Sequence, residues 1–271
     1  MPRSLDFLYG NPFGRLILKA AVCRPVSKLV GVFLDSRASK VLIKRFIRSN
    51  GIDLSEYEKQ TFDSFNDCFT RRIKPELRPI DGDPSSLIAP CDGRLTVIKA
   101  EKDRAIPVKQ SVFTLSGMLK DEGLAKEFED GLILVFRLCV DNYHRYCYFD
   151  SGRKGENVFI KGKLHTVQPV ALERLPVFTE NCREYTVMET RSFGRAVQCE
   201  VGALLVGKIK NHSGECEFLR GEEKGMFLYG GSTVILLLKK GAARIDPDIL
   251  AASEKGMETP VKMGMKIGER I

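Results

Sequence analysis

The sequence predicts an α+β protein: a β-rich domain, barrel- or sandwich-like, preceded by amphipathic N-terminal helices. Three observations predict it. Apolar runs of strand length, separated by glycine-containing turns, recur from about residue 86 onward. Ahead of residue 60, short apolar runs are instead interrupted by Lys and Arg at helical intervals. The charge is also partitioned: residues 1–50 hold ten Lys/Arg against two acids, the whole +8 excess, and the remainder is neutral.

In chain order, residues 13–48 alternate runs such as Leu16-Ile17-Leu18, Leu29 to Leu34 and Val41-Leu42-Ile43 with basic residues. Pro25 separates two helices within two or three amphipathic ones. Such helices suit an anionic membrane interface, and one apolar face equally suits a lid packed on the main domain. Nucleic acid fits poorly, because the stripe lacks aromatic interleaving and any known binding module. No run of 18 apolar residues exists to span a membrane, and no secretory signal pattern opens the chain. Residues 54–80 read as helical, turning at Pro75 and Pro79. Strands are expected at Leu95 to Ile98, Leu132 to Phe136, Tyr185 to Met188, Gly202 to Ile209 and Val234 to Leu238. The polar tail, 241–271, ends in a short edge strand around Val261 to Ile267. Eight scattered cysteines without a C-x-x-C pair argue against zinc and for reduced thiols in a cytoplasmic setting.

The residues that bear chemistry are few. Tyr229-Gly230-Gly231-Ser232-Thr233 places a hydroxyl behind two glycines, at the mouth of the apolar run Val234 to Leu238. Gly-Gly permits a backbone bend in which Ser232 Oγ attacks the preceding peptide bond; a tight turn is the plainer reading. Of three histidines, His144 stands in a polar-aromatic stretch directly after an apolar strand, where site residues are displayed, and is the candidate base. Asp92, in Pro90-Cys91-Asp92-Gly93, is a candidate orienting carboxylate as well as a plausible turn residue. His212 falls in an expected loop.

In order along the chain, these segments resemble the phosphatidylserine decarboxylase family. They are Phe65-Asn66-Asp67-Cys68-Phe69-Thr70-Arg71 with Arg78-Pro79-Ile80-Asp81, then Pro90-Cys91-Asp92-Gly93 and Tyr143-His144-Arg145. Val201-Gly202-Ala203 with Val206-Gly207 follows, then Lys224-Gly225 leading to Gly230-Gly231-Ser232-Thr233. The similarity covers about residues 60–240.

The resemblance implies a proenzyme with a basic membrane-associating segment, 1–60, and a catalytic domain, 61–271, cut between Gly231 and Ser232 into chains 1–231 and 232–271 that stay together as a heterodimer. In this scheme His144 takes the Ser232 proton, Asp92 holds the imidazole, and the Gly231 carbonyl is attacked in an N-to-O acyl shift. β-Elimination and hydrolysis then leave Ser232 as an N-terminal pyruvoyl group, the cofactor that forms a Schiff base with the substrate amine. No metal is implied. Phosphatidylserine is the implied substrate, phosphatidylethanolamine the product, and the cytoplasmic face of the membrane the site of peripheral attachment.

Two departures stand out. Gly230-Gly231 replaces the Leu-Gly common at the family's cleavage site, with the Gly-Ser bond retained. Cys147 occupies the place of a second histidine three residues after the first, and His165 is then the expected helper in substrate chemistry. Three other readings are a membrane-binding homologue that does not process itself, a pyruvoyl decarboxylase of a soluble amino acid, and a serine hydrolase, which would lack the G-x-S-x-G elbow.

Overall fold

The structure is a computed structural model that describes Asn11 and residues 24–100, 106–108, 111–163, 177–202, 209–228 and 232–271. Helix α1 (Arg24–Asp35) has Pro25 in its first turn, where a missing N–H costs nothing. Whether a helix precedes it lies outside the described residues. A 3-10 turn (Arg37–Leu42) leads into α2 (Ile43–Asn50), which closes on Gly51 at φ 62°, the left-handed cap that glycine adopts freely. The helix expected over 54–80 is not formed. Its place is taken by 3-10 turns at Leu54–Glu56 and Pro75–Leu77 and by one short helix, α3 (Phe65–Phe69). Pro75 and Pro79 lack the N–H that a longer helix needs. Buried Ser39 ties this layer together, donating to Ser36 O (2.7 Å) and accepting from Phe65 N (2.8 Å).

Seventeen strands follow among the described residues. They are β1 (Ser86–Ile88), β2 (Gly93–Lys99), β3 (Ile106–Val108), β4 (Ser111–Phe113), β5 (Leu132–Leu138) and β6 (Arg145–Cys147). Next come β7 (Gly152–Lys154), β8 (Val158–Ile160), β9 (Arg183–Thr190), β10 (Gly194–Val201), β11 (Ile209–Asn211) and β12 (Cys216–Phe218). The last are β13 (Glu223–Phe227), β14 (Ser232–Leu238), β15 (Ala243–Ile245), β16 (Thr259–Val261) and β17 (Lys266–Arg270). Short helices α4 (Leu115–Leu119), α5 (Glu122–Lys126), α6 (Val177–Glu180) and α7 (Pro247–Glu254) complete the set. The tail thus holds a helix and three strands where one edge strand was expected. The strand expected over Gly202 to Ile209 falls largely outside the described residues, and β10 ends just before it.

The principal sheet has nine strands in the order β12-β7-β9-β10-β14-β5-β2-β16, with β8 added on β9. It stays open, so the sandwich half of the expectation holds and the barrel half does not. Every pairing in it is antiparallel. On one face lie α4, α5 and Phe128, packed on Ile133, Val135, Ile235 and Leu237. The other face carries Leu134, Phe136, Val234 and Leu236, which meet Tyr146 and Phe227 of a smaller sheet, β11-β13-β6, and Ile267 of a third, β1-β17-β15. Strand β14 is therefore buried on both sides, which is why its sequence runs apolar without alternation. The helical layer closes one end. Leu34, Phe46, Phe65 and Phe69 form their own cluster and pack against Val140 and Leu228.

Candidate active site

Ser232 is the first residue of β14, opposite Leu138 of β5, and its side chain shares a face with Val234 and Leu236. It is 1% exposed, and its hydroxyl has no hydrogen-bond partner. A buried hydroxyl left unsatisfied is costly, and Ser232 Oγ shares that state with its neighbour Thr233 Oγ1. Tyr229, Gly230 and Gly231 lie outside the described residues. The chain on either side of them is anchored: Phe227 donates its N–H to His144 O (2.9 Å), and Ser232 is paired with Leu138.

His144 ends the turn that leaves β5. Asn142 Oδ1 accepts the Cys139 N–H (2.8 Å), and Arg71 Nη2 donates to Asp141 O (3.2 Å). The His144 ring is 1% exposed and lies 4.1 Å, centroid to centroid, from the ring of Phe69. Its Nδ1 lies 2.8 Å from the Asn142 carbonyl. A carbonyl only accepts, so Nδ1 carries the proton and Nε2 presents a bare lone pair. Nε2 and Ser232 Oγ each have no partner, so the expected base and nucleophile are not hydrogen-bonded to one another. Burial pushes the His144 pKa down to about 3, so the imidazole is neutral at physiological pH.

Asp92 is not placed on His144. Its carboxylate is held bidentately by Arg78, at 2.7 Å (Nε to Oδ1) and 2.5 Å (Nη2 to Oδ2), and Oδ1 also accepts the Met263 N–H (2.9 Å). The expected carboxylate–imidazole contact is thus replaced by a buried guanidinium clamp on Asp92 and a backbone carbonyl on His144. The clamp joins three stretches of sequence, one of them in the segment that follows Ser232. In the sequence Arg78 stands out only as part of a motif. Its pairing is tertiary and leaves no periodic signal.

Cys147 is buried, and burial raises its thiol to about 12, so it cannot act at neutral pH as the base a histidine would provide there. His165 lies outside the described residues. His212 is engaged by Glu223, with Nε2 at 2.6 Å from Oε1. Among the described residues no cluster of His, Cys, Asp or Glu is arranged to hold a metal.

Ser232 Oγ is thus buried at the root of a central strand, next in sequence to the peptide bond that joins it to Gly231. The fold and site are those of an α+β enzyme with a serine enclosed in its own core. Comparison with known proteins makes the assignment specific. Residues 65–269 match the family model described as phosphatidylserine decarboxylase. The chain is 46% identical over 267 residues to phosphatidylserine decarboxylase proenzyme 2 of Clostridium acetobutylicum, covering 98% of this chain and 91% of that one. It is 40% identical to the proenzyme of Ruminiclostridium cellulolyticum (99% and 92% covered) and 39% identical to that of Clostridium botulinum type Ba4 (99% and 93%). The chain belongs to the phosphatidylserine decarboxylase family, carboxy-lyases that depend on a pyruvoyl group made from their own polypeptide. Within the matched residues, Ser232 heads β14 with its hydroxyl unpaired.

Proposed function

We propose that this chain cleaves itself between Gly231 and Ser232 and then decarboxylates phosphatidylserine to phosphatidylethanolamine. The observation that carries the reading is the buried, unpaired Ser232 hydroxyl at the head of β14, in a chain that matches the family along almost its whole length. In the cleavage, His144 Nε2 takes the Ser232 proton while Asn142 O holds Nδ1–H. Ser232 Oγ bonds to the Gly231 carbonyl carbon and the C–N bond breaks, leaving an ester and a free amine on Ser232. Loss of the Gly231 carboxylate by β-elimination gives dehydroalanine, and water converts this to the keto group with release of ammonia. When present, the pyruvoyl group supplies the electron sink that decarboxylation needs.

This chain's residues do the rest. Phe69 and the helical layer exclude water from the centre. His144, neutral and oriented, handles the proton. Asp92 is assigned a structural part, holding Arg78 and Met263 together rather than holding the imidazole. The segment 232–271 remains bound after cleavage as a second chain, because β14 is hydrogen-bonded between β10 and β5 and Arg137 clamps Glu258 (2.8 and 2.6 Å).

The helical layer is also the membrane-facing surface in this reading. Leu29 (72%), Val32 (64%), Phe33 (43%) and Val41 (78%) are exposed beside solvent-facing Arg37, Lys40, Lys44, Arg45 and Arg48. Apolar side chains among cations suit an anionic bilayer surface, reached peripherally on the cytoplasmic face. No described helix is long and apolar enough to cross a membrane. The layer's inner side packs beside His144 through Phe69, which leaves its outer side available to lipid. The test pairs the purified protein with its Ser232→Ala form on phosphatidylserine vesicles. Carbon dioxide release by the first and none by the second is expected; equal activity would refute the assignment.

A further inference from the structure

Strand β13, which leads into the scissile segment, carries an irregularity. Glu223 faces Cys147 and Gly225 faces Tyr146, so Lys224 is an extra residue bulged out of the β13–β6 ladder. A bulge re-aims a side chain, and here it turns Lys224 inward. Lys224 and Glu200 are both fully buried. Lys224 Nζ donates to both carboxylate oxygens of Glu200 (2.8 and 2.9 Å) and to Asn211 Oδ1 (3.0 Å). Gln198 Nε2 adds a bond to Glu200 (3.1 Å), and Tyr146 OH donates to Asn211 Oδ1 (3.1 Å). Gly225 is required beside the bulge, since a Cβ there would strike the Lys210 carbonyl and lie 2.7 Å from Tyr146 OH.

The two ends of this pair lie on β13, which precedes the scissile bond in sequence, and on β10, which pairs with β14 beyond it. Lys224 is on β13, three residues before Phe227, whose amide is bound to His144 O. Glu200 is on β10 opposite Val234, two residues beyond Ser232 and on the same face of the sheet. The ion pair therefore ties the strand entering the segment to the neighbour of the strand leaving it. A buried ion pair is weak evidence for stability, because apolar residues of similar volume often serve as well; fixing register is its better-attested use.

We propose that the Lys224–Glu200 pair is a positioning device for self-cleavage: it holds the β13 bulge, and with it the Phe227 anchor on His144 that precedes the scissile bond in sequence. The inference rests on the cleavage assigned above. Without the inward anchor the bulge is free to iron out. A one-residue slip moves β13 by about 3.3 Å and reverses which face each side chain meets. Displacement of a reacting group by about 1 Å is enough for a roughly 100-fold loss of rate.

The test is the double variant Glu200→Gln/Lys224→Met, which removes both charges at nearly constant volume and leaves no lone buried ion. Wild type and variant are translated without cells and chased in parallel, and release of 232–271 is followed on denaturing gels. Native-state hydrogen exchange reports the Phe227 amide separately from the amides of β14. The expected result is a folded variant with β14 protected, the Phe227 amide exchanging faster, and self-cleavage slowed by about 100-fold. A folded variant that cleaves at the wild-type rate overturns the proposal. So does one that unfolds outright, which would assign the pair to stability. A wild-type chain that stays whole would instead remove the cleavage reading itself, and the wild-type lane shows that outcome independently.

Discussion

Burial of a neutral His144 makes stability depend on pH with a sign and size that follow from the site. The folded pKa is depressed to about 3 from the ordinary value of 6.5. Above pH 6.5 both states hold the ring neutral, and folding is not penalised. As pH falls below 6.5 the unfolded chain binds a proton that the folded chain refuses, so stability drops, and the loss levels off only near pH 3. At pH 5 the penalty is about 2 kcal/mol, and the full shift corresponds to roughly 5 kcal/mol. The assay is urea unfolding of the Ser232→Ala chain at pH 7.5 and 5.0, with and without His144→Gln, so that uncleaved polypeptide is compared throughout. The chain that keeps His144 should lose about 2 kcal/mol more between the two pH values than the chain carrying His144→Gln. Equal losses would refute the assignment of a sealed, neutral imidazole.

Three further outcomes are expected. Arg78→Met leaves the Asp92 carboxylate buried without its cation and should cost about 3–5 kcal/mol in urea unfolding, while Arg78→Lys, which keeps charge but not the two-pronged grip, should cost less. Leu236→Ala, in the doubly covered centre of β14, should cost about 2–5 kcal/mol, measured the same way. Lys44→Glu/Arg45→Glu should weaken sedimentation with phosphatidylserine vesicles by about 1 kcal/mol or more per residue reversed, with little change on neutral vesicles and with the difference shrinking at high salt.

Legibility in the sequence tracked how closely local pattern coincides with burial. Strand β14 was readable because both its faces are apolar, and β5 for the same reason. Strand β10 was missed because Gln198 and Glu200 interrupt its apolar pattern. Both are buried and bonded within the Lys224 network, so polarity there signals an interior ion pair rather than solvent. The helical expectation for 54–80 failed because that stretch is fixed by tertiary contacts, such as Ser39 on Phe65 N–H, and interrupted by prolines. At the site, Ser232 and His144 were legible as residue types standing at strand ends. The partner of Asp92 was not, since Arg78 reaches it only once two loops fold together. The His144 partner is a main-chain carbonyl, which any residue at 142 would supply.

Self-cleavage would make residue 232 a new chain terminus. Intact-mass spectrometry of the purified wild-type protein tests this most directly. Two polypeptides are expected, 1–231 and 232–271, the shorter bearing a keto group in place of the Ser232 amine. A single uncut polypeptide, or a cut that leaves an ordinary serine at the new terminus, would contradict it.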